Sequence, residues 1–383
     1  MELTLIIPTL NRPELLKREL HYYQTTQFNG KILIGDSSDN PTARALTQEL
    51  GAFKGPFQIE YHYLPNRHPA QVVSLLAEKV TTRYVTFIAD DDFLVPSALA
   101  KCVDFLEANP DYAAAHGLGV TLNAYSSAAD DVDYAIFYQQ PISTAATAAE
   151  RLRAHLTDYS VSLFAVHRLE AWRAMFQDVD HLADKTFGAE LLPCCLSVVF
   201  GKVKQLDDLY LIRQHHPKRY HLPQWFEWIT TENWRNSYLL FRDLLAQAIA
   251  RQDGIDLEAA QLVVTEAFST YLAQSISGTP PGILHFKERD LIKHPAASVQ
   301  PGLRQSLKRL PGAQKAWQIW KTMRSRTVSA KKAGTAAEIA DSNARKNIEE
   351  LNSLSILLDP ALPYYPDFKP IFEAVTRPPA SQS

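Results

Sequence analysis

Cysteine is scarce: Cys102, Cys194 and Cys195 are the three in 383 residues. They have no metal-ligand spacing, adjacent cysteines rarely bridge each other, and an odd count builds no disulfide framework, so a reducing compartment is expected. Glycine is also sparse, at 14 residues. None of it forms GxGxxG after the first apolar run or GxxxxGK[ST] anywhere, which argues against dinucleotide redox chemistry and P-loop hydrolysis. Charge of one sign is not in excess, since 39 Lys and Arg face 42 Asp and Glu for a net −3, so the whole molecule is no polyanion binder. No apolar run approaches the roughly 20 residues that span a bilayer. The start, Met1-Glu2-Leu3-Thr4-Leu5, carries neither a basic leader nor a cleavage site. A cytoplasmic chain is the expectation.

What is present is an ordinary globular composition, 46% hydrophobic and 21% charged, in a chain long enough for two domains or one large domain with an appendage. Leu3–Ile7 is a short continuous apolar run, the pattern of a central parallel strand. It ends in Pro8-Thr9-Leu10-Asn11-Arg12-Pro13, and Pro13-Glu14 starts a helix through Tyr23. A second strand, Lys31–Gly35, breaks at Asp36-Ser37-Ser38-Asp39 before a helix over Thr42–Leu50. A third, Phe57–Leu64, precedes Pro65-Asn66-Arg67-His68-Pro69 and a helix over Ala70–Val80. The fourth runs through Val85-Thr86-Phe87-Ile88-Ala89 into Asp90-Asp91-Asp92, and a helix follows from Pro96 to Asn109. Strand, polar loop and helix thus alternate four times, which predicts an α/β fold with a doubly wound sheet. Ligands of such sheets bind beyond the carboxyl ends of the strands. One wall would therefore gather Thr9, Asn11, Arg12, Asp36, Ser37 and Asp90–Asp92.

The triplet Asp90-Asp91-Asp92 is the sharpest feature. Two like charges about 4 Å apart repel by roughly 4 kcal/mol at an effective dielectric near 20. Three in a row call for a compensating cation or a solvated acidic turn. Oxygen-only clusters suit hard ions such as Mg²⁺ or Mn²⁺ shared with substrate phosphates.

Downstream, strands are expected over Ala113–Val120 and Ser162–His167, and a small-residue, acidic loop over Ser126–Asp133. Helices are expected over Thr144–Leu156 and Leu169–Phe176. Asp184-Lys185-Thr186-Phe187-Gly188-Ala189-Glu190 leads into an apolar helix, Leu191–Phe200, capped by Gly201. Lys202–Arg213 resumes strand alternation and closes on Gln214-His215-His216-Pro217. Helical patterning holds from Trp225 to about Ser277. Residues 287–332 then carry twelve Lys and Arg against two acidic residues. A solvated basic helix is the plain reading of that stretch, and a peripheral contact with an anionic membrane face is the second. No recognisable module supports nucleic-acid binding. The end, from about Thr376, is expected to be disordered.

With these pieces placed, the chain resembles the family 2 glycosyltransferases of GT-A fold. The resemblance rests on Ile6-Ile7-Pro8-Thr9-Leu10-Asn11-Arg12, on Ile34-Gly35-Asp36-Ser37-Ser38, and on Phe87-Ile88-Ala89-Asp90-Asp91-Asp92-Phe93-Leu94-Val95-Pro96. It covers roughly residues 1–220. It implies a GT-A domain over 1–220, a helical extension over 221–285 and a basic tail over 286–383. Two departures stand out. Ala89 occupies the place where the family often has its first aspartate, and the family's later Glu-Asp pair is not literal. Ala189-Glu190, followed by the helix, Gly201 and Arg213-Gln214-His215, matches its surroundings.

The resemblance implies inverting transfer of a sugar from a nucleotide-diphosphate donor, UDP-linked, to a hydroxyl of a glycan, lipid-linked or protein acceptor, in the setting of surface polysaccharide or glycoconjugate synthesis. Glu190 would be the base, with Asp184 in reserve. Asp90, Asp92 and His215 would hold Mg²⁺ or Mn²⁺, and Asp91 would face the ribose or donor sugar. Pro8, Thr9, Asn11, Arg12, Asp36, Ser37 and Asn66 would line the nucleotide, with Arg67 beside them. Each of these loop residues alone is equally a turn or cap residue. The alternatives are a nucleotide-sugar binding protein without turnover, which Ala89 favours, and a nucleotidyltransferase. The latter wants a glycine-rich phosphate loop near the first strand, and Pro8–Pro13 contains no glycine.

Overall fold

The computed structural model describes residues 1–124, 132–215, 225–277 and 351–376. Its centre is a mixed sheet of nine strands. They are β1 (Leu3–Thr9), β2 (Lys31–Asp36), β3 (Gln58–Tyr63), β4 (Tyr84–Phe87), β5 (Phe93–Leu94), β6 (Tyr112–Ala124), β7 (Val132–Tyr138), β8 (Val166–Arg168) and β9 (Lys202–His215). The order is 3-2-1-4-8-6-9-5, with β7 paired to the outer half of β6. The first four strands are mutually parallel, while β8 runs antiparallel to both β4 and β6. A doubly wound half therefore continues into a mixed half, as expected for a GT-A architecture.

Alternation along the parallel strands explains the layering. Leu3, Leu5 and Ile7 of β1 and Ile32 and Ile34 of β2 join one buried cluster, whereas Ile6, Leu33 and Val85 join another on the opposite face. Successive side chains of a strand point to opposite faces, so a fully apolar run is buried on both. Helices α1 (Pro13–Thr25) and α4 (Pro96–Ala108) cover the first face. The second is covered by α3 (Pro69–Ala77), α5 (Ala148–Thr157), α6 (Leu169–Phe176) and α7 (Leu192–Val199), with α9 (Trp234–Asp253) and α10 (Leu257–Ser277) outside them. Gly35 marks where α3 lies directly on β2: a Cβ there would stand 2.2 Å from Val72 Cγ1 and 2.9 Å from Leu76 Cδ1.

Several boundaries differ from expectation for local reasons. The alanine-rich helix begins at Ala148, because Thr147 and Glu150 form a capping box that fixes its start. The strand expected over Ser162–His167 shortens to β8, since Ala165 N donates to Ser162 O and turns the chain first. The helical stretch after Trp225 divides into α8 (Trp225–Ile229), α9 and α10. Gly254 ends α9 with φ 67°, the left-handed conformation glycine adopts at low cost. Among the described residues no helix is long and apolar enough to cross a membrane.

Contacts group Met1–Gly278 with Ile348–Ser383 in one compact unit and Thr279–Asn347 in a second. The second unit lies outside the described residues, and so do the basic stretch 287–332 and the end beyond Thr376. The C-terminal return is part of the first body. Leu351, Leu357, Tyr364, Phe368, Ile371 and Val375 are buried in the cluster that also holds Leu20, Tyr23 and Leu99. Ser97 Oγ donates to Asp367 Oδ1 at 3.0 Å, and Phe137 N donates to Asn352 Oδ1 at 2.9 Å. Because Phe368 is fully buried, Phe368→Ala is expected to cost about 3–5 kcal/mol in urea unfolding. A change within about 0.5 kcal/mol, the range of surface positions, would contradict the docking of the C-terminal helix, Tyr365–Thr376.

Candidate active site

The aspartate triplet occupies the turn between β4 and β5, where Asp92 N donates to Ala89 O at 3.0 Å. The turn sends Asp90 and Asp91 toward the loop after β1 and Asp92 toward β9. Thr9 Oγ1, at the end of β1, donates to Asp90 Oδ2 at 2.7 Å. Arg12 bridges two of the three, with Nη2 at 2.5 Å from Asp90 Oδ1 and Nη1 at 2.9 Å from Asp91 Oδ2. Asp92 belongs to β9: it accepts from Gln214 N at 2.8 Å and from Arg213 Nε at 3.1 Å. The Arg213 guanidinium stacks 4.9 Å from the ring centroids of both Tyr138 and Phe164, which holds its planar fork toward the triplet.

Two guanidiniums therefore pair with the three carboxylates in a buried turn, and a third, that of Arg18, lies within their field. Burial is the largest influence on Asp90 and Asp92, and Asp91 adds repulsion. Arg12 and Arg213 offset this only in part, so the carboxyls are pushed up to about 7 and about 6.

The loops after β1 and β2 are laced together beside this cluster. Asn11, at φ 53°, donates its backbone N–H to Ser38 Oγ at 2.7 Å and accepts from Asp39 N at 3.0 Å through its side-chain oxygen. Ser37 N donates to Thr9 O, and the buried Ser37 hydroxyl has no hydrogen-bond partner among the described residues. Asp36 is buried and oriented, accepting from Ser38 N and from the Tyr61 hydroxyl, both at 2.8 Å. Pro8 is buried within β1. Asn66, at φ 58°, and Arg67 are exposed in the loop beyond β3, further along the same strand edge. Asn11 and Asn66 take the left-handed conformation that asparagine adopts readily in turns; Gln27, at the opposite edge, is the third such non-glycine residue among those described.

Glu190 lies in a π-helical turn, Phe187–Leu191, that runs into α7. Pro193 explains the turn: it has no N–H for the Ala189 carbonyl and its ring crowds that group. Leu192 N instead reaches back five residues to Phe187 O. Such bulges recur at functional sites. The Glu190 carboxylate is partly accessible, accepts from the Tyr159 hydroxyl at 3.1 Å, and feels the positive charge of Arg213. Burial outweighs both and raises its carboxyl above the ordinary 4.5.

Asp184 sits elsewhere. Both its oxygens lie 2.9 Å from Trp228 Nε1, Oδ1 also accepts from Thr186 N and Phe187 N, and Oδ2 is 3.4 Å from Thr231 Oγ1. This carboxylate pins α8 to the π-helical turn, and its lone pairs are spent on that task.

A divalent cation can be weighed against the donor set. Among the described residues no three or more His, Cys, Asp or Glu side chains converge as a self-contained metal centre. A hard ion shared with ligand phosphates needs only one or two carboxylates. Asp90 and Asp92 supply oxygen ligands in an under-neutralised cluster, and His215 follows Arg213 by two residues on the same face of β9. These donors suit Mg²⁺ or Mn²⁺.

Sequence reasoning missed three residues here. Arg18 of α1 runs 5.4 Å from the Phe93 ring centroid to reach Asp91 O at 3.4 Å. Glu19 is fully buried, and burial together with the three aspartates pushes its carboxyl up. Tyr159 holds Glu190. The helical spacing of Arg18 and Glu19 looks like an ordinary surface pair. Only the tertiary position of α1 reveals them.

Residues 4–130, about a third of the chain, match the family model described as glycosyl transferase family 2. No curated protein matches the chain. Solved structures of S. aureus TarS are remotely similar. TarS 1–349 in complex with UDP-GlcNAc is 14% identical with a TM-score of 0.45, over 76% of this chain and 78% of that one. Its complex with UDP is 15% identical with a TM-score of 0.44, over 72% of each. A longer TarS chain is 14% identical with a TM-score of 0.42, and the match spans 71% of this chain and 43% of that one. Likenesses this remote carry no functional weight.

Burial of Glu190 makes stability depend on pH. Its folded value is raised, so the fold favours the protonated form. Stability is lost as pH climbs from the ordinary 4.5 through the folded value, and the cost is complete above it. Glu190→Gln, which keeps an acceptor for Tyr159, is expected to match wild type in urea midpoint at pH 4 and to equal or exceed it at pH 8. A lower midpoint at pH 8 would show that the ionised carboxylate stabilises the fold.

Proposed function

We propose that this chain is a metal-assisted, inverting glycosyltransferase that moves a sugar from a UDP-linked donor to an acceptor hydroxyl. One observation carries the reading. Thr9 of β1 and Arg12 of the loop after it, within the segment that matches the family 2 model, and Arg213 and Gln214 of β9, beyond that segment, close on one buried aspartate triplet. Such a cluster of mixed charge at the carboxyl edge of a doubly wound sheet is chemically suited to a nucleoside diphosphate.

Inversion asks for a single displacement at the anomeric carbon: the acceptor oxygen bonds to it as the bond to the diphosphate breaks. Glu190 accepts the proton of the attacking hydroxyl, and burial, by raising its carboxyl, makes the carboxylate a stronger base than an exposed one. Asp36, fixed by Tyr61 and Ser38, offers its remaining acceptor capacity to a donor N–H of the base. Ser37 and Thr9 place hydroxyls beside it for the ribose. Arg12 and Arg213 supply positive charge for the leaving diphosphate. Asp90, Asp92 and His215 would hold the divalent ion, which when bound contributes Lewis-acid stabilisation of the leaving group. Polysaccharide or glycoconjugate assembly at the inner membrane face remains the proposed setting, with residues 287–332 as the surface contact.

Calorimetric titration with UDP, with and without Mn²⁺, tests the donor site. Binding that requires Mn²⁺ and disappears in Asp92→Ala is expected. Metal-independent binding, or none, would overturn the assignment. For turnover, Glu190→Gln should lose about 10²–10⁴-fold, the usual contribution of a positioned base. Nucleotide binding without donor cleavage in the wild-type protein would favour the binding-only reading.

A further inference from the structure

We infer that Tyr159 is a positioning residue for Glu190, and that the helical region beyond Trp225 acts on the reaction by holding the Tyr159 ring. The inference rests on the reading of Glu190 as base for its catalytic meaning, but its geometry stands independently. Tyr159 lies two residues past the end of α5, and its hydroxyl donates to Glu190 Oε1 across 31 residues of sequence. Among the described residues no other group hydrogen-bonds this carboxylate. Oε2 is thereby left for an incoming hydroxyl, and one bond sets the direction in which it points.

The ring that carries the hydroxyl is clamped from two sides. His155, one turn earlier on α5, lies 5.2 Å away centroid to centroid at 58°. Tyr271 of α10 meets it edge-on at 5.1 Å and 69°. Tyr271 is in turn backed by Trp225 at 5.3 Å and by Phe268 at 5.7 Å. Edge-to-face pairs at these distances fix ring orientation beyond what burial alone supplies. A continuous aromatic train thus runs from α8 and α10 to the oxygen that holds Glu190. Among the described residues neither α8 nor α10 contributes a side chain to the aspartate triplet; besides Asp184, which ties α8 to the turn carrying Glu190, this train is a second route by which the outer helical layer reaches that carboxylate.

The charged and titratable groups facing Glu190 are few. Arg213 of β9 approaches from the triplet side, Tyr159 and Tyr271 from the helical side, and Cys194 and Cys195 from α7 below it. Tyr138 joins them through Arg213. Of these, Arg213 and the Tyr159 hydroxyl favour the ionised carboxylate, and only the latter is directional. Removing that hydroxyl leaves the burial cost and the Arg213 field in place. The carboxyl should then hold its proton to higher pH and turn between rotamers.

The test uses the full chain labelled with ¹³C at the glutamate carboxyl carbon, with Glu190→Gln identifying the Glu190 signal. Tyr159→Phe keeps the ring and removes one oxygen. In it the Glu190 titration midpoint should rise by at least half a pH unit. Hydrolysis of UDP-GlcNAc as probe should fall in kcat by tenfold or more with KM changed less than twofold, and the acid limb of its pH profile should move up with the midpoint. Tyr271→Leu, which loosens the clamp without touching Glu190, should give a smaller shift in the same direction. An unchanged midpoint in both variants would overturn the inference. If the midpoint moves in Tyr159→Phe while Glu190→Gln hydrolyses the probe as fast as wild type, Tyr159 still positions Glu190 and it is the base assignment that fails.

Discussion

Asp90, Asp91 and Asp92 share one buried turn, and that turn can exist only where positive charge is delivered to it. Arg12 delivers it from the loop between β1 and α1, and Arg213 from β9. Breaking a buried, hydrogen-bonded pair by removing one partner is far more costly than the pair is worth in isolation. The ends of β1, β4 and β9 are therefore held in register with one another by charge as well as by the ladder. β5 pairs antiparallel with β9 immediately after the triplet, at Phe93–Ile212 and Leu94–Leu211, which brings Arg213 and Gln214 to Asp92. Burial, only partly offset by the arginines, pushes Asp90 and Asp92 toward neutrality, and on the proposed function a divalent cation would complete the compensation.

The turn that carries Glu190 is built by a different device. A proline at the second position of α7 widens the preceding turn and carries Glu190 on it, and Tyr159 holds the carboxylate from across the helical layer. The proposed donor groups thus stand on strand ends and short laced loops, whereas the proposed base, Glu190, stands on a helix start backed by packed aromatics. Arg213 joins the two halves: it binds Asp92 directly, stacks between Tyr138 and Phe164, and lies within the electrostatic reach of Glu190.

The first half of the fold was legible because its signals are local. Leu3–Ile7 and Lys31–Gly35 are continuous apolar runs that end in polar turns, and both became parallel strands buried on two faces. That Thr9, Arg12, Asp36 and Ser37 share one sheet edge followed from that topology alone, since strand ends of one edge must meet; their proposed donor-side role came from the resemblance. Long-range placement was not legible. Arg18 and Glu19 read as a surface helix pair until α1 is laid against the triplet. Leu351–Val375 read as a tail, because its apolar residues have no partner until the chain returns to α1 and α4. Asp184 and Glu190, six residues apart with similar flanks, were separable only by their partners. One is consumed by Trp228 and backbone N–H groups, and the other keeps an oxygen free.

Donor turnover bears most directly on the central claim that the triplet, its arginines and Glu190 form one inverting transferase site. Incubating the full chain with a panel of UDP-, GDP- and CDP-sugars and Mn²⁺, and following the released sugar by proton NMR, reports both hydrolysis and stereochemistry. Slow, metal-requiring release from a UDP-sugar, with the anomeric configuration first formed opposite to that of the donor, is the predicted result. Release with retained configuration, or no release from any sugar in the panel, would contradict it.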